Sequence, residues 1–289
     1  MSTEGFTAAL VQMRTGQDVA ANVEAASTLI REAARSGADY VQTPEMTSLL
    51  VRDREKLLAS VRDEDSDPAL AAFLALAKEL KIWLHIGSLP IDFGDDRERV
   101  ANRGYLIAPH GEITARYDKI HMFDVDLDNG ESWRESRTYQ PGEVAISADL
   151  PWGRLGLSIC YDLRFSALYR ALVDNGAEFL AVPAAFTRQT GEAHWHVLLR
   201  ARAIETGSFV LAAAQSGKHE DGRETYGHSL IVDPWGKVLA EGGTEPGVVL
   251  ARIEPKLVAE ARKKIPVLEN GRRFAVAGGE VAHLSEVRG

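Results

Sequence analysis

Only one of the 289 residues is a cysteine, Cys160. A disulfide within the chain is therefore excluded, which fits a reducing compartment. Positive charge is also scarce: 33 lysines and arginines against 42 aspartates and glutamates leave a formal net charge of −9. Nucleic acid demands a basic face, so that class of partner is excluded, and the acidity reads as solubility. No apolar run approaches the roughly 20 residues that a membrane-spanning helix needs. The opening "MSTEGFTAALVQM" has neither a basic n-region nor an uninterrupted apolar core of the signal-peptide kind. A soluble, cytoplasmic protein is the expectation. Stretches rich in Pro, Gly or Ser that would separate two halves are missing, as are low-complexity segments. With 45% hydrophobic residues the chain can bury a large core, and one domain is expected over residues 1–273, followed by a weakly ordered tail, 274–289.

The apolar pattern alternates between strand and helix periods. "FTAALVQM" reads as a buried strand. In "QDVAANVEAASTLIREAARSG", Val19, Val23, Ala26, Ile30 and Ala33 share one helical face, with Gly37 placed to end it. "ADYVQTPEM" is a short strand ending at Pro44, with Glu45 just beyond. "DPALAAFLALAKELK" opens with Asp67 as N-cap and Pro68 at the first helical position, and turns Leu70, Phe73, Leu74, Ala77 and Leu80 inward. "KIWLHIGSLPI" follows as a strand. "GYLIAPHGEITARY" and "HSLIVDPWGKVLAEG" are two strand–turn–strand units of similar design. Between them come "RLGLSIC", a helix from about Ser166 to Gly176, strand "EFLAVPAAF", a helix through "HWHVLLRARAIET" and strand "SFVLAAAQ". A last helix through "EPKLVAEARKK" stops at Pro266. This alternation predicts an α/β fold with mixed sheets and helices outside, and the paired hairpins hint at two related sheets facing each other.

Cys160 closes an apolar strand pattern in "GRLGLSICYDLRF" and precedes a helical one. A tight strand-to-helix turn of that kind lifts a nucleophile into a pocket, and a nearby helix N-terminus favours thiolate. An inert buried thiol fits the same pattern. A reactive thiol needs a base, and Glu45 in "TPEM" lies at the C-terminal end of a strand, where sheet-based sites gather. Lys119 in "RYDKIHMFD" also follows a strand and could neutralise a tetrahedral oxyanion. Each residue has a plain alternative: an exposed loop glutamate, or a rim lysine paired with Asp118 or Asp124.

Taken together, "TPEM", "YDKIHMFD" and "ICYDLRF" resemble the Glu–Lys–Cys signatures of the nitrilase superfamily of carbon–nitrogen hydrolases. The resemblance covers nearly the whole chain and is sharpest in "GEAHWHVLLRARAIET", "AAAQSGKHEDGRETYGHSLIVDPWG" and "KIPV", which look like the Nit branch of ω-amidases and deaminated-glutathione amidases. It implies a four-layer α-β-β-α sandwich, dimerised into an eight-layer stack. It also implies Glu45 as general base, Lys119 as oxyanion-stabilising cation and Cys160 as nucleophile, with Glu135 in "WRESRTYQPG" positioning substrate and assisting the lysine. A backbone N–H near Tyr161 would share the oxyanion. Nothing in the sequence requires a metal or cofactor.

Arg164 could grip a substrate carboxylate, or pair with Asp162. Phe186 and Thr187 could line the pocket, with core packing the alternative for Phe186. Within the Nit branch, "SGKHEDGRETYGHS" looks closer to the deaminated-glutathione amidases, and Lys218 and Arg223 there could face a second substrate carboxylate, with plain solvated loop cations the alternative. His194 and His196 point to different faces of one helix, which argues against a shared zinc site. His228 reads as structural. The expected activity is thus a thiol amidase on a small carboxylate-bearing amide, with no nucleic-acid or membrane partner. The rivals are an ω-amidase, a non-catalytic binding member of the fold, and a redox sensor that lacks a second cysteine.

Overall fold

The computed structural model describes residues 4–93, 98–127, 130 and 132–275. The first half supplies β1 (Phe6–Gln12), α1 (Val19–Arg35), β2 (Tyr40–Gln42), α2 (Arg54–Ser60), α3 (Pro68–Leu80), β3 (Trp83–Ile91), β4 (Ala101–Ile107) and β5 (Ile113–Asp118). A small hairpin, β6 (Asp124–Asp126) and β7 (Ser132–Arg134), leads to the second half. There β8 (Ser147–Leu150), β9 (Gly153–Leu157), α4 (Ser166–Asp174), β10 (Ala177–Ala181), α5 (Arg188–Thr206) and β11 (Phe209–Ala212) follow one another. The chain closes with the hairpin β12 (Ser216–Lys218)–β13 (Glu224–Tyr226), then β14 (Leu230–Val232), β15 (Val238–Glu241), β16 (Gly247–Ile253) and α6 (Lys256–Lys264).

Two six-stranded sheets result, in the orders β16-β1-β2-β3-β4-β5 and β15-β14-β11-β10-β9-β8. Each has three adjacent parallel strands, one antiparallel strand on one flank and an antiparallel pair on the other. The two sheets are therefore built on one plan, and the two hairpins read from the sequence occupy equivalent places in it. Strand β1 shows why the sheets stack. Phe6, Ala8 and Leu10 point into a core shared with Leu155, Phe179 and Phe209 of the second sheet, while Ala9 and Val11 face Ile30 and Phe73 of α1 and α3. Period-two alternation with both faces apolar is what a strand buried on both sides requires. Phe6 stacks on Trp152 at 4.2 Å and meets Phe179 edge-on at 5.4 Å. The outer layers are α1 and α3 on one side and α4 and α5 on the other, giving α-β-β-α.

The caps act as read: the Asp67 carboxylate accepts from the Leu70 amide at 2.7 Å with Pro68 at the helix start, and Asp18 caps α1. In α3, Leu76 rather than Leu74 or Leu80 is fully buried. Helix α5 starts six residues before His194, with Thr187 as its N-cap. Gly191 hides that first turn from a propensity reading; a Cβ there would lie 2.3 Å from Cβ of Tyr226, so close helix–hairpin packing requires the glycine. Among the described residues no helix is long and apolar enough to cross a membrane. Of the tail expected at 274–289, residues 276–289 lie outside the described residues.

Candidate active site

Both sheets deliver the ends of their strands to one pocket of about 250 Å³. Glu45 follows β2 by three residues, and Lys119 comes directly after β5. Cys160 opens a short 3-10 helix after β9, and Ala185, Phe186 and Thr187 follow β10. Beneath Glu45 the backbones pack closely: a Cβ on Gly87 of β3 would sit 2.2 Å from the Thr43 carbonyl oxygen and 2.5 Å from Cβ of Pro183. Glycine at that position lets the strand before Glu45 and the segment leading to Ala185 approach each other.

Lys119 is 2% exposed, and its ammonium donates to Glu45 Oε1 at 2.9 Å and to Glu135 at 2.9 Å (Oε1) and 2.8 Å (Oε2). The sequence alternatives for it, Asp118 and Asp124, are engaged with Arg103 and Ser136. Asn102, which the sequence reading passed over, donates from Nδ2 to Glu45 at 2.9 Å and to Glu135 at 3.3 Å. Its signal was faint: a buried polar residue inside the apolar strand pattern "ANRGYLI". The Ala185 amide holds the other Glu45 oxygen at 2.9 Å, and the Phe123 amide holds Glu135 at 2.6 Å. The Cys160 thiol lines the same pocket beside Glu45.

Cys160 is held at φ 50°, with its amide bonded to the Pro183 carbonyl at 2.9 Å. That conformation is costly for a residue with a Cβ and is a mark of over-determined sites. The determinant is Asp162, fully buried, which accepts from the Ile159 amide (2.8 Å), the Tyr117 hydroxyl (2.7 Å) and the His121 amide (3.0 Å), and lies 2.7 Å from His121 Nδ1. Arg164 therefore does not pair with Asp162; its Nη1 lies 3.2 Å from His194 Nδ1, and its guanidinium packs over Phe186 at 5.1 Å and Tyr161 at 5.9 Å.

Electrostatics sort the resting charges. Burial alone would raise the Glu45 carboxyl, but the Lys119 ammonium and the hydrogen bonds from Lys119 and Asn102 hold it below its ordinary value. Burial, with Glu45 nearby, raises Glu135 despite Lys119. Lys119 resists its own burial because two carboxylates face it, and its pKa is pushed well up. Burial first, and then the Glu45 charge, push the Cys160 thiol well above its ordinary value. This corrects the expectation that a helix N-terminus would favour thiolate. At rest the group is a thiol beside an ionised carboxylate, an arrangement that passes the proton only as the sulfur attacks.

Tyr161, Arg164, Phe186 and Thr187 all reach the pocket wall. Arg223 does too, while Lys218 stands exposed on β12 away from it, as a solvated cation does. Arg52, not singled out from sequence, joins Arg223 over the Trp133 ring, at 4.6 and 5.0 Å. Arg223 is bonded to Asp221 at 2.8 Å, whereas Arg52 meets no carboxylate among the described residues. The pocket thus has a cation on the Tyr161–Phe186 side and a cation pair on the Trp133 side. His228 pairs with Glu241 and is absent from the pocket wall.

Two facing sheets of this order, with a Glu–Lys–Glu cluster and a cysteine on one pocket wall, are the arrangement of a nitrilase-type thiol hydrolase, and the carbon–nitrogen hydrolase family model matches residues 7–263. The chain belongs to that family and is a carbon–nitrogen hydrolase of the amidase class. It is 40% identical over 265 residues to a deaminated glutathione amidase of Yersinia enterocolitica, covering 91% of this chain and 92% of that one. An omega-amidase of Homo sapiens is 35% identical over 267 residues, 92% of this chain and 95% of its own length. The C. elegans NitFhit protein superposes with a TM-score of 0.87 at 34% identity, covering 96% of this chain and 69% of that one.

Proposed function

We propose that the chain hydrolyses deaminated glutathione through a Cys160 thioester. The Glu45 carboxylate takes the thiol proton as sulfur adds to the amide carbonyl. Lys119 and the Tyr161 amide, which lies in a first helical turn with no intrahelical acceptor, receive the oxyanion. Collapse breaks the C–N bond, and Glu45 returns its proton to the leaving amine. A water molecule, deprotonated by the same carboxylate, then attacks the thioester, and the sulfur leaves with that proton. Glu135 and Asn102 position Lys119 and Glu45.

The substrate assignment rests on one observation, the two cationic ends of the pocket. Deaminated glutathione carries a carboxylate on the acyl side of its scissile amide and another at the end of its cysteinylglycine leaving group. Arg164 suits the first and Arg52 with Arg223 the second. The similarity to named deaminated glutathione amidases supports the same reading. An ω-amide such as α-ketoglutaramate has only the first carboxylate. Comparing kcat/KM for the two substrates with one preparation tests the assignment; preference for α-ketoglutaramate makes the protein an ω-amidase and leaves the chemical steps untouched.

The same reading makes residues 1–273 one catalytic unit, places the protein in the cytoplasm and pairs two chains into an eight-layer homodimer. Light scattering on the purified protein decides the pairing.

A further inference from the structure

Helix α5 carries a histidine that the pocket does not use. His196 follows His194 by two residues but points elsewhere, its Nε2 lying 3.0 Å from Glu241 Oε1 on β15. The same carboxylate oxygen is 2.9 Å from Nδ1 of His228, in the segment between β13 and β14. Ligand atoms from a helix, a loop and a strand of the second sheet thus lie within 4.8 Å of one another. All three side chains are part-exposed, at 32% for His196, 24% for His228 and 39% for Glu241, so solvent reaches the cluster.

His228 is fixed in place. Its φ is 54°, a region other residues than glycine rarely adopt. Its amide donates to the Gly243 carbonyl at 2.9 Å, its own carbonyl accepts from Trp195 Nε1 at 2.8 Å, and its ring stacks on Tyr226 at 4.3 Å. These contacts aim the imidazole at Glu241.

Two imidazole nitrogens and one carboxylate oxygen form a borderline donor set. It suits zinc-class ions, whereas calcium and magnesium take oxygen ligands. Zinc bonds of about 2.0–2.1 Å in tetrahedral geometry place ligand atoms roughly 3.4 Å apart. The two nitrogen–oxygen separations need to widen by only a few tenths of an ångström, and the exposed side leaves water the fourth position. Each imidazole shifts its N–H to the other ring nitrogen and gives the freed lone pair to the metal. Two hydrogen bonds are exchanged for three coordinate bonds.

We propose that His196, His228 and Glu241 form a site for a divalent transition-metal ion of the zinc class, distinct from the amidase pocket. An ion there ties α5 to β15. The first turn of α5 lies on the pocket wall through Thr187 and Thr190, so the clamp steadies a helix that the pocket depends on without touching the reacting atoms.

The test uses the full chain carrying Cys160→Ala, which removes the one thiol able to hold zinc by itself. Chelator-stripped protein is titrated with Zn²⁺ near neutral pH against a chromophoric chelator, and its melting temperature is recorded with and without the ion. The expected result is one Zn²⁺ per chain, a melting temperature raised by Zn²⁺, and affinity reduced at least about tenfold by His196→Ala and by Glu241→Gln. His196 is part-exposed on a helix surface, so its replacement leaves folding intact. Equal Zn²⁺ affinity in all three proteins, no binding at all, or a single ion shared between two chains would each overturn the proposal.

Discussion

Replacing Lys119 by methionine leaves two buried carboxylates facing each other with no cation between them. In the native site Nζ stands 2.9 Å from Glu45 Oε1 and 2.8 Å from Glu135 Oε2. At an effective dielectric near 20, a unit-charge pair at such a separation interacts by about 5–6 kcal/mol before desolvation is counted. One pKa unit corresponds to about 1.4 kcal/mol, so losing half of that interaction raises a carboxyl by roughly two units. Burial already drives both carboxyls upward, and only Asn102 and backbone amides would then oppose it. The pair takes up a proton, and Glu45 ceases to be a free base near neutrality. The rate loss should therefore exceed the roughly 10²–10³ expected from deleting one oxyanion donor. The discriminating assay is alkylation of Cys160 by iodoacetamide as a function of pH, which needs a base but no substrate oxyanion. In the native protein the acid limb lies below the ordinary glutamate value, because the Glu45 pKa is lowered; in folded Lys119→Met it moves to higher pH. Superimposable alkylation profiles, or a kcat within tenfold of native, would refute this reasoning.

Arg52→Leu should raise KM for deaminated glutathione by about tenfold, a modest loss for a charged hydrogen bond, and Arg223→Leu by less, both leaving α-ketoglutaramate kinetics nearly unchanged. The larger effect belongs to Arg52, since Arg223 is shared with Asp221. His85 is buried against the Tyr40 hydroxyl at 3.1 Å, and burial lowers its pKa from 6.5 to about 3. Only the unfolded chain binds that proton between those values, so His85 removes stability as pH falls through that window, by about 1.4 kcal/mol per unit. Urea titrations of His85→Gln should show a flatter acid limb between pH 6.5 and 3. Gly87→Ala should cut kcat while leaving secondary structure in place, because its Cβ displaces the Thr43–Pro44 backbone that carries Glu45; native kcat in that variant would detach Gly87 from the site.

The layers were legible because helices and strands impose different periods on the same apolar residues, as the alternation of Phe6, Ala8 and Leu10 against Ala9 and Val11 shows. Placement just past a strand end made Glu45, Lys119 and Cys160 candidates without deciding against plainer roles, and the resemblance of their three motifs to the Glu–Lys–Cys signatures singled them out. Asn102 did not stand out, since its importance comes from two carboxylates 57 and 33 residues away. Arg52 and Arg223 meet over Trp133 only after three separate segments fold together. Spacing carries no trace of such a meeting. The start of α5 was missed for the opposite reason: Gly191 weakens the local helix signal, and tertiary packing against Tyr226 overrides it. The thiolate expectation failed because burial and the neighbouring Glu45 carboxylate push the Cys160 thiol up, and neither is visible in the local sequence.

The proposed turnover rests on a covalent acyl bond to Cys160, formed and broken by one carboxylate. It is tested most directly by acid-quenching deaminated glutathione turnover at short times and mapping the modified peptide by mass spectrometry, in the native protein and in Glu45→Gln. A 2-oxoglutaryl adduct is expected on the peptide containing Cys160, absent from Cys160→Ala and slow to appear and to decay in Glu45→Gln. Continued release of cysteinylglycine by folded Cys160→Ala, or an adduct on any other residue, would contradict it.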